Sequence, residues 1–259
     1  MDWEFVQCNQ QNHLQCLALN SPGILQAITA KESGNMALHT GDSPEAVIKR
    51  RRNFLNCYRL DLKDLVAARQ IHGERIEIIK KRHSGRGSIS EADLIPETDA
   101  LITGEPGIIL SVFTADCVPI FIHDPVKKVI AVVHAGWRGT IAGIASKTVF
   151  RMCSEFQTNP KHCIVGIGPA ICKKCFQVNS DLADIFSNVF PETVTRVENK
   201  SFVDLVDFNS RILQKAGIPE KSIFLSEQCT CCAPQKWYSY RASATTGRIM
   251  GIIALTGEG

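Results

Sequence analysis

"GIILSVFTADCVPIFIHD" (107–124), "PVKK" (125–128) and "VIAVVHAGWRGT" (129–140) form the stretch that decides how this chain folds. Two apolar runs of strand character flank Asp124-Pro125-Val126-Lys127. Asp at the first position of a turn and Pro at the second are type I preferences, so the stretch predicts a hairpin. With 124–127 as the turn, antiparallel partners have numbers that sum to about 251, which pairs Cys117 with His134. Directly opposed residues have Cβ atoms roughly 4.5–5.5 Å apart, close enough to ligate one ion or share a proton. A buried strand that ends on an imidazole thereby acquires a reason.

Working outward, "SGNMALHTGDSPEAVIKRRRNFLNCY" reads as a Gly-bearing strand or loop followed by a helix, with Ser43 as N-cap and Pro44 as first helical residue. Val47, Ile48, Phe54 and Leu55 give that helix its apolar faces, while Arg50, Arg51 and Arg52 project in different directions. The basic run Lys49–Phe54 is a solvated helix face or an anion site. In "LVAARQIHGERIEIIKK" alternation begins near Ile76, and Gly73 directly follows His72. "HSGRGSISEADLIPETDALIT" reads as a mobile loop that returns into a strand. Thr140 is a plausible cap for a helix through "TIAGIASKTVFRMCSEF", and "CIVGIGPAICKKCFQV" is a short strand that breaks into a Gly-Pro loop. Two further helices follow, the second ending at Gly217 before Pro219. The tail "WYSYRASATTGRIMGIIAL" predicts an aromatic strand paired with a final apolar one. Helices and strands interleave without strict βα alternation, which predicts an α+β fold: a single domain over residues 1–259, with mixed β-sheets flanked by helices.

Composition bounds the function. A chain of 259 residues with 44% hydrophobic content can bury a sizeable core, and a net charge of +3 gives no footprint for nucleic acid or a membrane surface. The N-terminus lacks the charge and apolar segments of a signal peptide, and no run is long enough to span a membrane, so a cytoplasmic location is expected, with no protein partner implied. The 11 cysteines, odd in number and scattered, read as reduced thiols available for metal or nucleophilic work.

His72, Cys117 and His134 supply two imidazoles and a thiolate, a donor set that suits zinc. Three protein ligands leave a fourth tetrahedral position open, the mark of a catalytic rather than a structural ion. No compact HExxH spacing advertises the site, and three separate core residues are the competing reading.

"QIHG", "TADCVPI", "VHAGWRGT", "GIGPAI" and "YSYR…TGR" occur in this order. Together they resemble the laccase-domain family, once labelled multicopper polyphenol oxidoreductase, from about Ser33 to the C-terminus. The resemblance implies that His72, Cys117 and His134 bind one metal ion, usually zinc, with copper (Cu2+) as the other candidate. It also implies purine nucleoside phosphorylase activity on adenosine, inosine, guanosine and methylthioadenosine, with adenosine deaminase activity. Purine nucleosides and phosphate are then the partners. Phosphorolysis needs cationic or amide groups around the phosphate. Arg51, which matches the family's arginine after "SxNM…GD…V", Arg138 beside a ligand histidine, and Asn35 are the candidates. Trp137 reads as a core plug, and Tyr238 and Tyr240 stack on a purine or pack an edge strand.

Two segments depart from the family pattern. Phe176-Gln177-Val178 lacks the glutamate common after "GPAI", and "YSYRASATTGR" lacks the second arginine and the aspartate common after "SYR". A second thiol-rich set, Cys172 and Cys175 with Cys229, Cys231 and Cys232, is consistent with a structural metal, a redox disulfide or unlinked thiols. Two other functions use the same residues: a Cys-His hydrolase or deamidase with Cys117 as nucleophile and His134 as its base, and copper-dependent phenol oxidation. Against the latter, the 7 histidines include no HxH pair.

Overall fold

The computed structural model describes residues 2–256. In chain order the strands are β1 (Trp3–Cys8), β2 (Gln11–Cys16), β3 (Ile24–Thr29), β4 (Leu65–Val66), β5 (Ile76–Ile78), β6 (Ala100–Thr103), β7 (Ile109–Thr114), β8 (Val118–Asp124), β9 (Val129–Ala135), β10 (Ile164–Ile167), β11 (Gln177–Val178), β12 (Val194–Val197), β13 (Lys200–Val203), β14 (Ile223–Leu225) and β15 (Ile249–Leu255). The helices are α1 (Pro44–Asn56), α2 (Trp137–Ile141), α3 (Ile144–Phe156), α4 (Ser180–Ser187) and α5 (Leu205–Lys215).

One six-stranded sheet runs β1-β2-β3-β15-β7-β4 and a second runs β14-β10-β8-β9-β6-β5, with a small third sheet β11-β13-β12. Parallel pairing at β4 with β7, β5 with β6 and β10 with β14 makes the two large sheets mixed, so the chain is α+β. They stack face to face: Ile28, Leu110, Val112 and Ile253 of the first meet Leu101, Phe121, Ile130 and Val132 of the second. Phe54 and Leu55 of α1 cover the outer face of the first, and Ile144, Val149, Phe208 and Leu213 of α3 and α5 cover that of the second. Strands β7, β8 and β9 are buried along their whole lengths, which is why they read as continuous apolar runs.

The hairpin forms, two residues out of the predicted register. Asp124 faces Val129 and Pro119 faces His134, because the loop is residues 125–128 rather than 124–127. The Asp124 carboxylate accepts from the amides of Val126 and Lys127 at 2.9 and 3.1 Å, and Lys128 closes the loop with a left-handed φ of 53°. A slip of two preserves the facing, whereas a slip of one would reverse it. Cys117 therefore stays on the inter-sheet face with His134, one step beyond direct opposition.

Three further expectations are corrected. The aromatic tail is not a strand: residues 237–248 are irregular, and β15 pairs with β3 and β7 instead. Trp237 is fully buried, and the surrounding segment is spent on the cavity described below. Thr140 is not a cap but lies inside α2, which Gly136 caps; Gly143, with φ of 74°, then separates α2 from α3. The expectation of reduced thiols fails at Cys8 and Cys57, which form a disulfide where the end of β1 meets the end of α1, with Cα atoms 6.0 Å apart. The Ser43 hydroxyl caps α1 as predicted, accepting from Ala46 N at 3.3 Å, and α5 ends before Gly217. No helix among the described residues is long and apolar enough to cross a membrane.

His13 and His123 are buried in the body of the fold. Burial lowers the pKa of His13 to about 4 and that of His123 to about 4, from an ordinary 6.5. The unfolded chain takes up protons first, so the stability these groups lend is complete above pH 6.5 and drains as pH falls towards 4. Each contributes on the order of 1–3 kcal/mol over that interval. Chemical denaturation at pH 7.5 and 5.0 is expected to show a lower midpoint in acid, with a weaker dependence in His13→Gln. Equal midpoints at the two pH values would sink this account.

Candidate active site

Three remote segments deliver the candidate ligands to one end of the inter-sheet face. His134 is the penultimate residue of β9 and is buried, Cys117 precedes β8, and His72 sits in the loop after β4. Their ligand atoms lie within 4.8 Å of one another, and the two imidazole rings are 4.8 Å apart between centroids.

Asp99 organises both histidines. Its carboxylate accepts from the backbone amides of Ile71, His72 and Gly73 at 3.2, 3.0 and 2.8 Å. It also accepts from His134 Nδ1 at 2.7 Å, which leaves His134 Nε2 for the site. Gln70 pins the same loop to β7 by bonding both the carbonyl and the amide of Phe113, each at 2.8 Å. His72 is thereby held at a left-handed φ of 61°. Strain of this kind costs about 1–3 kcal/mol and persists where surrounding bonds over-determine it. Gly136 is required by proximity: a Cβ there would lie 2.6 Å from His72 Cδ2 and 3.2 Å from Cys117 Sγ.

The turn before Cys117 is likewise strained and clamped. Asp116 has φ of 92°, and its carboxylate accepts from Thr230 Oγ1 at 2.6 Å and Arg241 N at 2.7 Å. Burial opposes ionisation of Cys117, but the charge and hydrogen bonds of His134, with the bond from His72, outweigh it and draw the thiol below its ordinary range. For His134 burial acts against protonation, and Cys117 together with Asp99 raises it. Each of the two groups thus favours the charged form of the other. A soft sulfur anion, a tautomer-fixed imidazole and a second imidazole around one point fit a zinc or copper ion.

The three residues line a cavity of about 730 Å³, within the size range of small-molecule sites. Arg51 and Arg138 also line it, and Trp137 and Tyr240 supply aromatic surface. Arg51 is 2% exposed; Nε donates to the Met36 carbonyl, and Nη1 to those of Gly87 and Ser88, each at 2.8 Å. Burial lowers its pKa to about 10, so it remains a fixed cation at neutral pH. The Arg138 guanidinium lies over the Trp137 ring, 4.2 Å from its centroid. Trp137 is half-buried, packing on the core and facing the cavity at once. Asn35 is not on the cavity lining. Its amide is spent on the backbone, donating to Ala37 O at 2.9 Å and accepting from the amides of Ala37 and Arg248 at 3.0 and 2.9 Å. It positions Arg248, which does line the cavity.

Sequence reasoning missed Asp99, Asp116, His39, Arg241 and Arg248. The last two lie within the "YSYR…TGR" motif, so their signal was present without a role. His39 faces the cavity, and burial together with Arg248 keeps its imidazole below the ordinary range and neutral.

The family model described as multi-copper polyphenol oxidoreductase laccase matches residues 22–256. The chain belongs to this family. A relative named purine nucleoside phosphorylase YlmD, from Geobacillus stearothermophilus, is 31% identical over 96% of this chain and 97% of its own. Adenosine deaminase RL5, from an unknown prokaryotic organism, is 33% identical over 80% of each chain. The crystal structure of a Bacillus licheniformis hypothetical protein, YfiH, superposes with a TM-score of 0.92 at 29% identity, over 97% of this chain and 99% of that one. Within this laccase family the motifs quoted from the sequence now have positions: "QIHG", "TADC" and "VHAGWRG" carry the candidate ligand cluster, and "YSYR…TGR" carries Tyr240, Arg241 and Arg248 of the same cavity lining.

Proposed function

We propose that this chain is a zinc-dependent purine nucleoside phosphorylase with adenosine deaminase activity, held to one cavity. The observation that carries the reading is a Cys-His-His cluster in the lining of a cavity whose walls also carry Arg51, Arg138, Arg241 and Arg248. The names of relatives similar over nearly the whole chain support it. His72, Cys117 and His134 would hold the ion, which when bound supplies Lewis acidity towards a nucleophile or a developing oxyanion.

The chain's own groups do the rest. Arg51 and Arg248 present fixed positive charge to phosphate, and Trp137 and Tyr240 present aromatic faces to a purine. Neutral His39 can exchange a hydrogen bond with the base. Attack by a phosphate oxygen at the sugar C1′ breaks the glycosidic bond, giving free base and ribose 1-phosphate. Attack by water at C6 of adenosine releases ammonia and gives inosine. Adenosine, inosine, guanosine and methylthioadenosine are the substrates to test, and the cytoplasm is where such a nucleoside enzyme would meet them.

One observation favours a second reading: Cys117, His134 and Asp99 line up as nucleophile, base and orienting carboxylate, the order a cysteine hydrolase uses. Chelation separates the two, since a thiol nucleophile survives it. The purified protein, given adenosine with and without phosphate, is expected to release adenine only with phosphate and inosine without it. Arg248→Met is expected to raise the KM for phosphate by about 10- to 100-fold, as removal of a charged hydrogen bond should. Turnover that persists undiminished after exhaustive chelation would overturn the zinc reading in favour of the hydrolase.

A further inference from the structure

Four thiols outside the active site converge on a single point. The sulfurs of Cys172, Cys175, Cys229 and Cys232 all lie within 4.8 Å of one another. Cys232 Sγ is 3.3 Å from Cys175 Sγ and 3.9 Å from Cys172 Sγ. A tetrahedral ion with bonds of about 2.3 Å sets its sulfurs roughly 3.8 Å apart, in the middle of this range. The spacing is paired as well: Cys172 and Cys175, and Cys229 and Cys232, are two Cys-x-x-Cys turns, with Cys231 lying between the second pair and outside the cluster.

The backbone is arranged for sulfur anions. The amides of Cys172 and Cys232 both donate to Cys229 Sγ at 3.3 Å. The two turns are held side by side by Ala170 N to Gln228 O at 3.2 Å and Thr230 N to Ala170 O at 3.1 Å. All four thiols are unlinked, in a chain that does join Cys8 to Cys57. An iron–sulfur cluster would spread the cysteines around its inorganic sulfides, whereas these sulfurs close on one atom-sized space.

We propose that Cys172, Cys175, Cys229 and Cys232 bind a second zinc ion, separate from the one at His72, Cys117 and His134. Four thiolates fill the tetrahedral shell, so the ion is structural. It braces part of the cavity wall. Arg241 donates to the carbonyls of Cys175 and Gln177 at 2.8 and 3.2 Å, and Ile171 and Phe176, flanking the first turn, line the cavity. The assignment does not rest on the nucleoside activity.

The test is metal content of the full chain, purified with zinc and dialysed, alongside its cobalt-substituted form. Wild type is expected to hold two zinc ions per chain. Cys117→Ser should hold one, and its cobalt form should keep the intense sulfur-to-cobalt charge-transfer bands of a tetrathiolate. Cys229→Ser should lose those bands and one ion while keeping the ion at Cys117. The Cys117→Ser cobalt spectrum answers the question even if Cys229→Ser does not fold. A wild type with one ion that disappears in Cys117→Ser would overturn the proposal. So would a disulfide within the four-cysteine set in freshly purified protein, or the visible absorption of an iron–sulfur cluster.

Discussion

Cys117→Ser is expected to lower kcat/KM for nucleosides by about 1,000-fold or more, a loss of roughly 4 kcal/mol of transition-state stabilisation. The substitution keeps the volume, so the hairpin and its packing should survive. What it removes is the anion: a serine hydroxyl does not ionise beside His134, and a neutral oxygen is a poor third ligand. Metal affinity at this position should collapse with turnover, and the circular dichroism spectrum should not change. Retention of more than a tenth of the wild-type rate would show that the reaction runs elsewhere in the cavity.

Asp99→Asn should produce the second largest effect, by a different route. Four donors converge on the Asp99 carboxylate: the amides of Ile71, His72 and Gly73, and His134 Nδ1. An amide offers one acceptor oxygen and turns its other end into a competing donor, so at least one buried N–H loses its partner. Unmet groups of this kind cost about 1–3 kcal/mol each. The His72 loop, strained at a left-handed φ, is where the cost should be relieved. Metal affinity is expected to fall about 10- to 100-fold, as for other carboxylates that orient a ligand histidine. Denaturation and metal titration measure the two effects independently; unchanged metal affinity in a folded variant would remove Asp99 from its positioning role.

What the sequence disclosed was local. A turn dipeptide announced the β8–β9 hairpin, a Ser-Pro pair announced α1, and the facing of Cys117 and His134 survived because a two-residue slip conserves parity. What it concealed depends on remote segments meeting. Asp99 reads as an ordinary polar residue before a strand, and its role exists only once the 71–73 loop and the end of β9 are brought to it. The Cys8–Cys57 bridge depends on β1 lying beside the end of α1. In "CTCC", three cysteines in four positions allow more than one pairing, so the Cys-x-x-Cys of Cys229 and Cys232 emerged only beside Cys172 and Cys175. The tail misled for a related reason: its aromatic residues resemble a strand but serve a cavity wall, which needs no alternation.

Asp116 joins two halves of the cavity that differ in origin. On one side, buried sheet strands and the Asp99-pinned loop carry Cys117 and the histidines. On the other, Thr230 and Arg241 hang from the same carboxylate on segments that are largely irregular. The first half is thus a scaffold where almost any change is felt throughout the core, whereas the second is irregular backbone fastened at a few points. A change in that second half can therefore be made without disturbing the strands that carry Cys117 and His134, so long as Thr230 and Arg241 keep their hold on Asp116.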